Sequence, residues 1–310
     1  MESLLKKVDK VYDLYYNIPK GLNMHRILIT GGAGFVGSNL AKKLSEDNYV
    51  VSLDNYFTGT RDNHHENVHY LEADCADIWD IFGYQKNQFD YIFHLGEYAR
   101  VEQSFDDYYT VMEYNYQTFP IILDFAKHQN AKLIYSGSST KFSVGEEGKK
   151  MSPYAYTKAQ NTELLKAFAE WNNLEYAIVY FYNVYGDNEI AHGDYATVIA
   201  KFINMVKSGQ NHLPITSPGT QKRNFTHVND IVEGLITAGF HGQGDGYGIG
   251  CDKAYEIQEL PKLMGVKPLM MDAKPGNRMA GELKTDKLKA LGWECKHSLE
   301  DYINEKLDIQ

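Results

Sequence analysis

The chain has 310 residues, 43% of them hydrophobic, and a formal net charge of −10. That length holds one large α/β domain or a domain with a lobe, and the charge excludes a nucleic-acid-binding surface, which needs a basic stripe. No apolar run is long enough to span a membrane as a helix, and the N-terminus lacks the basic-then-apolar order of a signal peptide.

Residues 1–23 carry Leu4, Leu5, Val8, Val11, Tyr12 and Tyr15 at helical spacing and stop near Pro19 and Gly21. The spacing predicts a short helix packed on the domain or on a neighbouring subunit. A buried strand over 26–30 follows, then Gly31-Gly32-Ala33-Gly34-Phe35-Val36-Gly37, then a helix to about residue 45. Further strands are predicted at 49–53, ending at Asp54, and at 68–72 and 90–94. A long helix over 107–127 leads to a strand at 132–136, a helix at 153–171 and a strand at 175–180. This alternation predicts an α/β fold with a doubly wound parallel sheet.

After Tyr185-Gly186 the rhythm loosens. A helix near 197–208, a strand at 213–217, a helix over 230–238 and shorter elements read as a smaller C-terminal substrate lobe interwoven with the sheet. The expected organisation is therefore an extension at 1–23, a dinucleotide-binding domain at 24–186 and a lobe at 187–310, with an approximate boundary. Cys75, Cys251 and Cys295 are odd in number and far apart, with no zinc spacing and no disulfide framework. That pattern points to a reducing cytoplasm and no structural metal.

Gly31, Gly34 and Gly37 sit between a strand and a helix. The first permits a tight turn, the second lets the backbone approach a pyrophosphate, and the third allows close helix–strand packing. The helix N-terminus offers free N–H groups to the phosphates. Asp54, at the end of the next strand, can accept both ribose hydroxyls and would repel a 2′-phosphate, which predicts NAD rather than NADP. Asn55 follows it, and Asp74-Cys75, after the third strand, stand where they could touch the adenine.

Tyr154 and Lys158 are four apart on a helical pattern, so they share a face. An ammonium beside a phenol lowers its pKa, and the phenolate can take a hydroxyl proton while hydride leaves the same carbon. Ser138, in Ser136-Gly137-Ser138-Ser139-Thr140, can hydrogen-bond the reacting oxygen.

From Met24 onward the chain resembles the extended short-chain dehydrogenases/reductases of the NAD-dependent sugar epimerase/dehydratase family. The matching pieces are GGAGFVG, Asp54-Asn55, His94-Leu95, Asn115, SGSST, SPYAYTK, YFYNVYG, RNFTHVNDIV, PGNR and LGW. The resemblance implies a nucleotide-sugar substrate oxidised at C4. It assigns Phe35, Val36, Leu95, Gly96, Glu97, Asn115 and Tyr182 to the cofactor, with Tyr182 against the nicotinamide. It assigns Ser139, Asn183, Arg223 and Arg278 to the substrate, the arginines pairing with its phosphates. It also implies a homodimer or higher homo-oligomer built through the helices near 107–127 and 154–171.

Family dehydratases carry acids after the serine, where this chain has Ser139-Thr140, so a 4-epimerase is favoured, with Arg223-Asn224-Phe225 leaning to UDP. Gly96-Glu97 stands where the family has two small residues, Tyr180 where it often has Arg, and Phe142 where it has Tyr. Glu97 keeps open a 4,6-dehydratase, in which it supplies acid/base function or binds a sugar hydroxyl, and a C4 dehydrogenase releasing a keto sugar. A non-catalytic NAD-binding regulator is opposed by the intact Ser138, Tyr154 and Lys158.

Overall fold

The computed structural model describes residues 24–139, 151–273 and 281–309. The helix expected within 1–23, and Thr140, Phe142 and Arg278, lie outside them. Strand β1 (Arg26–Thr30) is almost wholly buried. A continuous apolar run of this kind suits a parallel strand covered on both faces. Its side chains alternate, Leu28 joining one layer and Ile27 and Ile29 the other.

The chain continues through helix α1 (Phe35–Leu44), β2 (Tyr49–Asp54), β3 (Val68–Glu72), α2 (Ile78–Phe82) and β4 (Tyr91–His94). Then come helix α3 (Phe119–Gln129), β5 (Lys132–Ser138), α4 (Pro153–Asn172) and β6 (Tyr176–Phe181). The expected helix over 107–127 is divided: a turn at Tyr108–Val111, a π-helical stretch at Met112–Gln117, then α3. Pro120 has no N–H to give to the preceding turn. Thr118 instead bonds Glu113 O through its N–H (3.2 Å) and its hydroxyl (2.9 Å), the wider π closure.

After α5 (Val198–Lys207) and α6 (Val228–His241), a seventh strand, β7 (Gly244–Ile249), joins the main sheet. The order is β7-β6-β5-β4-β1-β2-β3, with every pairing parallel. Periodicity misses β7 because Gly244, Gly246 and Gly248 interrupt its apolar pattern. Gly248 is required there, since a Cβ would lie 2.0 Å from Lys284 O. One face of the sheet is covered by α2, α3 and α4 and the other by α1 and α6.

A third apolar cluster groups Ile199, Phe202 and Ile203 of α5 with Leu213, Ile215, Phe225 and Tyr255 and with Leu299 and Ile303 of α7 (Leu299–Leu307). Contrary to the sequence expectation, Cys251 and Cys295 form a disulfide with their Cα atoms 5.4 Å apart. The sequence separation of 44 hides this proximity from the sequence. Buried Asp230 of α6 holds the same segment, accepting hydrogen bonds from Lys296 N (3.2 Å), His297 N (3.0 Å) and His297 Nδ1 (2.9 Å). No helix among the described residues is long and apolar enough to cross a membrane.

Asp230→Ala is expected to orphan these donors and cost about 1.5–3 kcal/mol, read as a lower midpoint in urea unfolding with the main-sheet circular dichroism retained.

Candidate active site

A cavity of about 560 Å³ opens along the carboxyl ends of the strands. Its floor is the turn after β1. Gly31 has φ 72°, and its added Cβ would meet Gly96 N at 2.8 Å. A Cβ on Gly37 would stand 2.0 Å from Gly31 O, whereas one on Gly34 would meet only Gly31 O at 3.3 Å. Gly31 and Gly37 are thus needed for closure of the turn, and Gly34 leaves the backbone open to a ligand. Helix α1 starts at Gly34 with no side-chain cap and no acid in its first turn. Its first N–H groups, from Phe35, Val36 and Gly37, are therefore available to an anion, and all three residues line the cavity.

Asp54 ends β2, buried, with Oδ2 accepting from Ala33 N (2.9 Å) and Oδ1 from Tyr56 N (2.8 Å). Burial raises its pKa against the opposing pull of these N–H groups. Each oxygen keeps a lone pair for a ribose hydroxyl. Asn55 Nδ2 holds Asp74 Oδ2 at 2.9 Å, and both residues and Cys75 line the cavity. Burial pushes the Cys75 thiol up, which makes it an inert packing group. These residues fit an adenine dinucleotide: a glycine cradle, an uncapped helix end and a ribose carboxylate.

The opposite wall carries Tyr154 and Lys158. Ser152 caps α4 by accepting from Ala155 N (3.1 Å), with Pro153 in the first turn. That start places Tyr154 at the end of β5 and Lys158 one turn below, and both line the cavity with Ser138 and Ser139. Lys158 Nζ donates to Ser136 O at 2.7 Å and pairs with the Glu97 carboxylate. Asn183 and Arg223 line the substrate end, and Asn183 is held at φ 37° with its Nδ2 on Asn224 O (3.1 Å).

Leu95, Gly96 and Glu97 line the cavity as expected, but two of the expected cofactor contacts, Tyr182 and Asn115, require correction. Tyr182 turns away: its hydroxyl donates to Glu282 O (2.8 Å) and accepts from Lys284 N (3.2 Å). Alternation along β6 brings Phe181 to the cavity instead. Asn115 is fully buried outside the cavity wall. It braces the loop after β4, accepting from Tyr98 N (2.7 Å) and donating to Tyr98 O (3.1 Å) and Thr157 Oγ1 (3.1 Å). Glu97 borders the cavity, but its carboxylate is 1% exposed and engaged by Lys158, so it neither faces a sugar hydroxyl nor stands free as an acid.

Sequence reasoning missed Arg100, Phe181 and the segment Ala196-Thr197-Val198, all of which line the cavity. Arg100 was findable: it lies just past the carboxyl end of β4, where open parallel sheets bind their ligands. Its Nε and Nη2 donate to Tyr195 O at 3.0 and 2.7 Å, which fastens the segment before α5 over the pocket. The Ala196–Val198 contact has no local signal.

A family model described as the NAD dependent epimerase/dehydratase family matches residues 27–250. A putative UDP-glucose 4-epimerase of Methanocaldococcus jannaschii is 27% identical over 89% of this chain and 95% of its own length. A UDP-N-acetyl-alpha-D-glucosaminuronate decarboxylase of Bacillus cytotoxicus is 30% identical over 76% of this chain and 78% of its own. Among solved structures, a UDP-glucose 4-epimerase of Thermotoga maritima with UDP-glucose superposes with a TM-score of 0.83 at 26% identity, over 92% of this chain and 98% of that one.

Gly37→Ala is expected to force the turn open and weaken NAD binding at least about tenfold, or roughly 1.4 kcal/mol, measured by isothermal titration calorimetry.

Proposed function

Because the chain belongs to the NAD dependent epimerase/dehydratase family, we propose that this NAD-dependent nucleotide-sugar enzyme is a 4-epimerase acting on a UDP-hexose. The observation that carries the reading is that a dinucleotide cradle and a Tyr–Lys pair line one cavity. The relative from Methanocaldococcus jannaschii is named for UDP-glucose 4-epimerisation, and the Thermotoga maritima structure contains UDP-glucose. Both support a UDP-sugar here.

In this reading Gly31, Gly34, Gly37 and Asp54 hold the cofactor, with Asn55, Asp74, Leu95 and Gly96 around it. NAD, when bound there, would supply the acceptor for the C4 hydride and the donor that returns it to the opposite face of the keto carbon. The Tyr154 phenolate takes the C4 hydroxyl proton and gives it back to the same oxygen once the keto sugar has turned and presented its other face to the cofactor. Ser138, beside Ser139, donates a hydrogen bond to the reacting oxygen and stabilises it. Lys158 orients the ribose and favours the phenolate. Arg223 and Asn183 hold the diphosphate, so the sugar can turn while the nucleotide stays fixed. Arg278 belongs to the same proposal.

The dehydratase alternative asks for a free acid near C5. Ser139 follows Ser138 and is no acid, and the Glu97 carboxylate is spent on Lys158. A homodimer through the two long helices completes the reading. Tyr109 and Tyr116 before α3, and Tyr156 and Trp171 on α4, are 86%, 43%, 40% and 71% exposed. Large aromatics set out this way suit a second copy.

Proton NMR of the NAD-loaded protein with a panel of UDP-hexoses tests the assignment. The C4 epimer should appear without net NADH; a 4-keto or 6-deoxy product would overturn it. Tyr154→Phe is expected to lower the rate about 10²–10⁴-fold while NAD stays bound.

A further inference from the structure

The loop after β4 buries a carboxylate against Lys158. Glu97 is 1% exposed and Lys158 is 4% exposed, and the two are ion-paired. Glu97 Oε2 also accepts from Tyr135 Oη at 3.1 Å, and Oε1 accepts from Asn161 Nδ2 at 2.9 Å. His94 Nε2 lies 3.6 Å from Oε1. The groups facing Glu97 are thus His94 at the end of β4, Tyr135 of β5, and Lys158 and Asn161 of α4. Cys75 stands behind Gly96, its Sγ 3.8 Å from Gly96 O. Arg100 and Tyr154 lie on the cavity side.

A buried ammonium and a buried carboxylate each need the other, since either alone carries a large desolvation cost. Lys158 has three N–H donors. One goes to Glu97 and one to Ser136 O, leaving one for the cavity. The carboxylate therefore fixes where the last donor points and offsets the charge of the ammonium.

Resting on the assignment of Tyr154 as the base, we propose that Glu97 is a positioning residue that acts through Lys158: it orients the ammonium and offsets its charge, so that the proton affinity of Tyr154 answers to the Glu97–Lys158 pair. A lysine alone would favour the phenolate strongly. Glu97 offsets part of that charge, so the charge of a bound cofactor weighs more beside Tyr154. Burial works against the ionised carboxyl of Glu97, yet Lys158 and His94 hold it below the usual range, so it is a carboxylate at neutral pH. The Tyr135 phenol is pushed well up, first by burial and then by Glu97, so it serves Glu97 as a donor.

The test titrates the NAD-loaded protein labelled with carbon-13 at tyrosine Cζ, the Tyr154 resonance being assigned by its loss in Tyr154→Phe. Glu97→Gln keeps the shape and removes the charge. Its Tyr154 titration should fall, and the acid limb of kcat/KM with UDP-glucose should move down with it. Glu97→Asp should restore part of the shift, and Lys158→Met should abolish the difference between Glu and Gln at position 97. A titration that does not move, or moves up, in Glu97→Gln overturns the proposal. The NMR readout needs no turnover, so it stands apart from the functional assignment, which fails instead if Tyr154→Phe keeps full activity.

Discussion

The site depends on one close approach, where the loops leaving β1 and β4 touch at their base. A Cβ on Gly31 would lie 2.8 Å from Gly96 N, and one on Gly96 would lie 3.0 Å from Gly31 N and 2.9 Å from Cys75 Sγ. The two strands are neighbours, but the chain leaves β1 for β2 and β3 and returns to β4 on the other side. At such a reversal the loops diverge and open a crevice at the carboxyl edge of the sheet. Gly96 N is further tied to Thr30 Oγ1 at 3.1 Å, and that hydroxyl is 2.7 Å from His94 Nδ1. Two glycines and a buried threonine–histidine contact thus set the origin of the crevice, and the cofactor and catalytic walls diverge from it.

Buried side-chain amides brace the wall that carries Tyr154 and Lys158, although Asn161 Oδ1 and His94 Nε2 themselves make no hydrogen bond among the described residues. Asn161 of α4 donates to Asn115 O (2.8 Å) as well as to Glu97, and Asn115 in turn holds both backbone groups of Tyr98. An amide that fills such positions carries a penalty of about 1–3 kcal/mol for any partner left unmade. The loop after β4, the π-helical stretch and α4 are therefore locked into one arrangement. The same lock keeps Glu97 against Lys158.

A second set of contacts ties the segment before α5 across the crevice. Asp107 Oδ2 accepts from the hydroxyls of Tyr98 and Tyr195, each at 2.6 Å, and Gln103 Nε2 donates to Asp194 O at 2.5 Å. Phe57, from the loop after β2, packs edge-on to Tyr195 and Tyr114 with centroids 5.6 and 5.4 Å away. Aromatic faces and charge-assisted hydrogen bonds close this end without a covalent tie. Many of the chain's 24 tyrosines find employment in contacts of this kind.

Local pattern determined the parts with local causes. Six of the seven main strands, the glycine turn, Asp54 at the end of β2, and Tyr154 with Lys158 on one helical face follow from apolar runs, turn residues and i,i+4 spacing. Only the tertiary structure decided the rest. Glycine-rich β7 is a strand because β6 offers it an edge, and the 107–127 helix widens where Thr118 bonds Glu113 O through both its N–H and its hydroxyl. Tyr182 and Phe181 exchange roles according to which face of β6 meets the crevice, a parity that the motif alone does not state. Asn115 is a brace and Glu97 a partner of Lys158 because strands β4 and β5 and helix α4 converge there from segments far apart in the chain. Cys251 and Cys295 pair for the same reason. Long-range contacts have no periodicity to read, since distance in sequence carries no record of closeness in space.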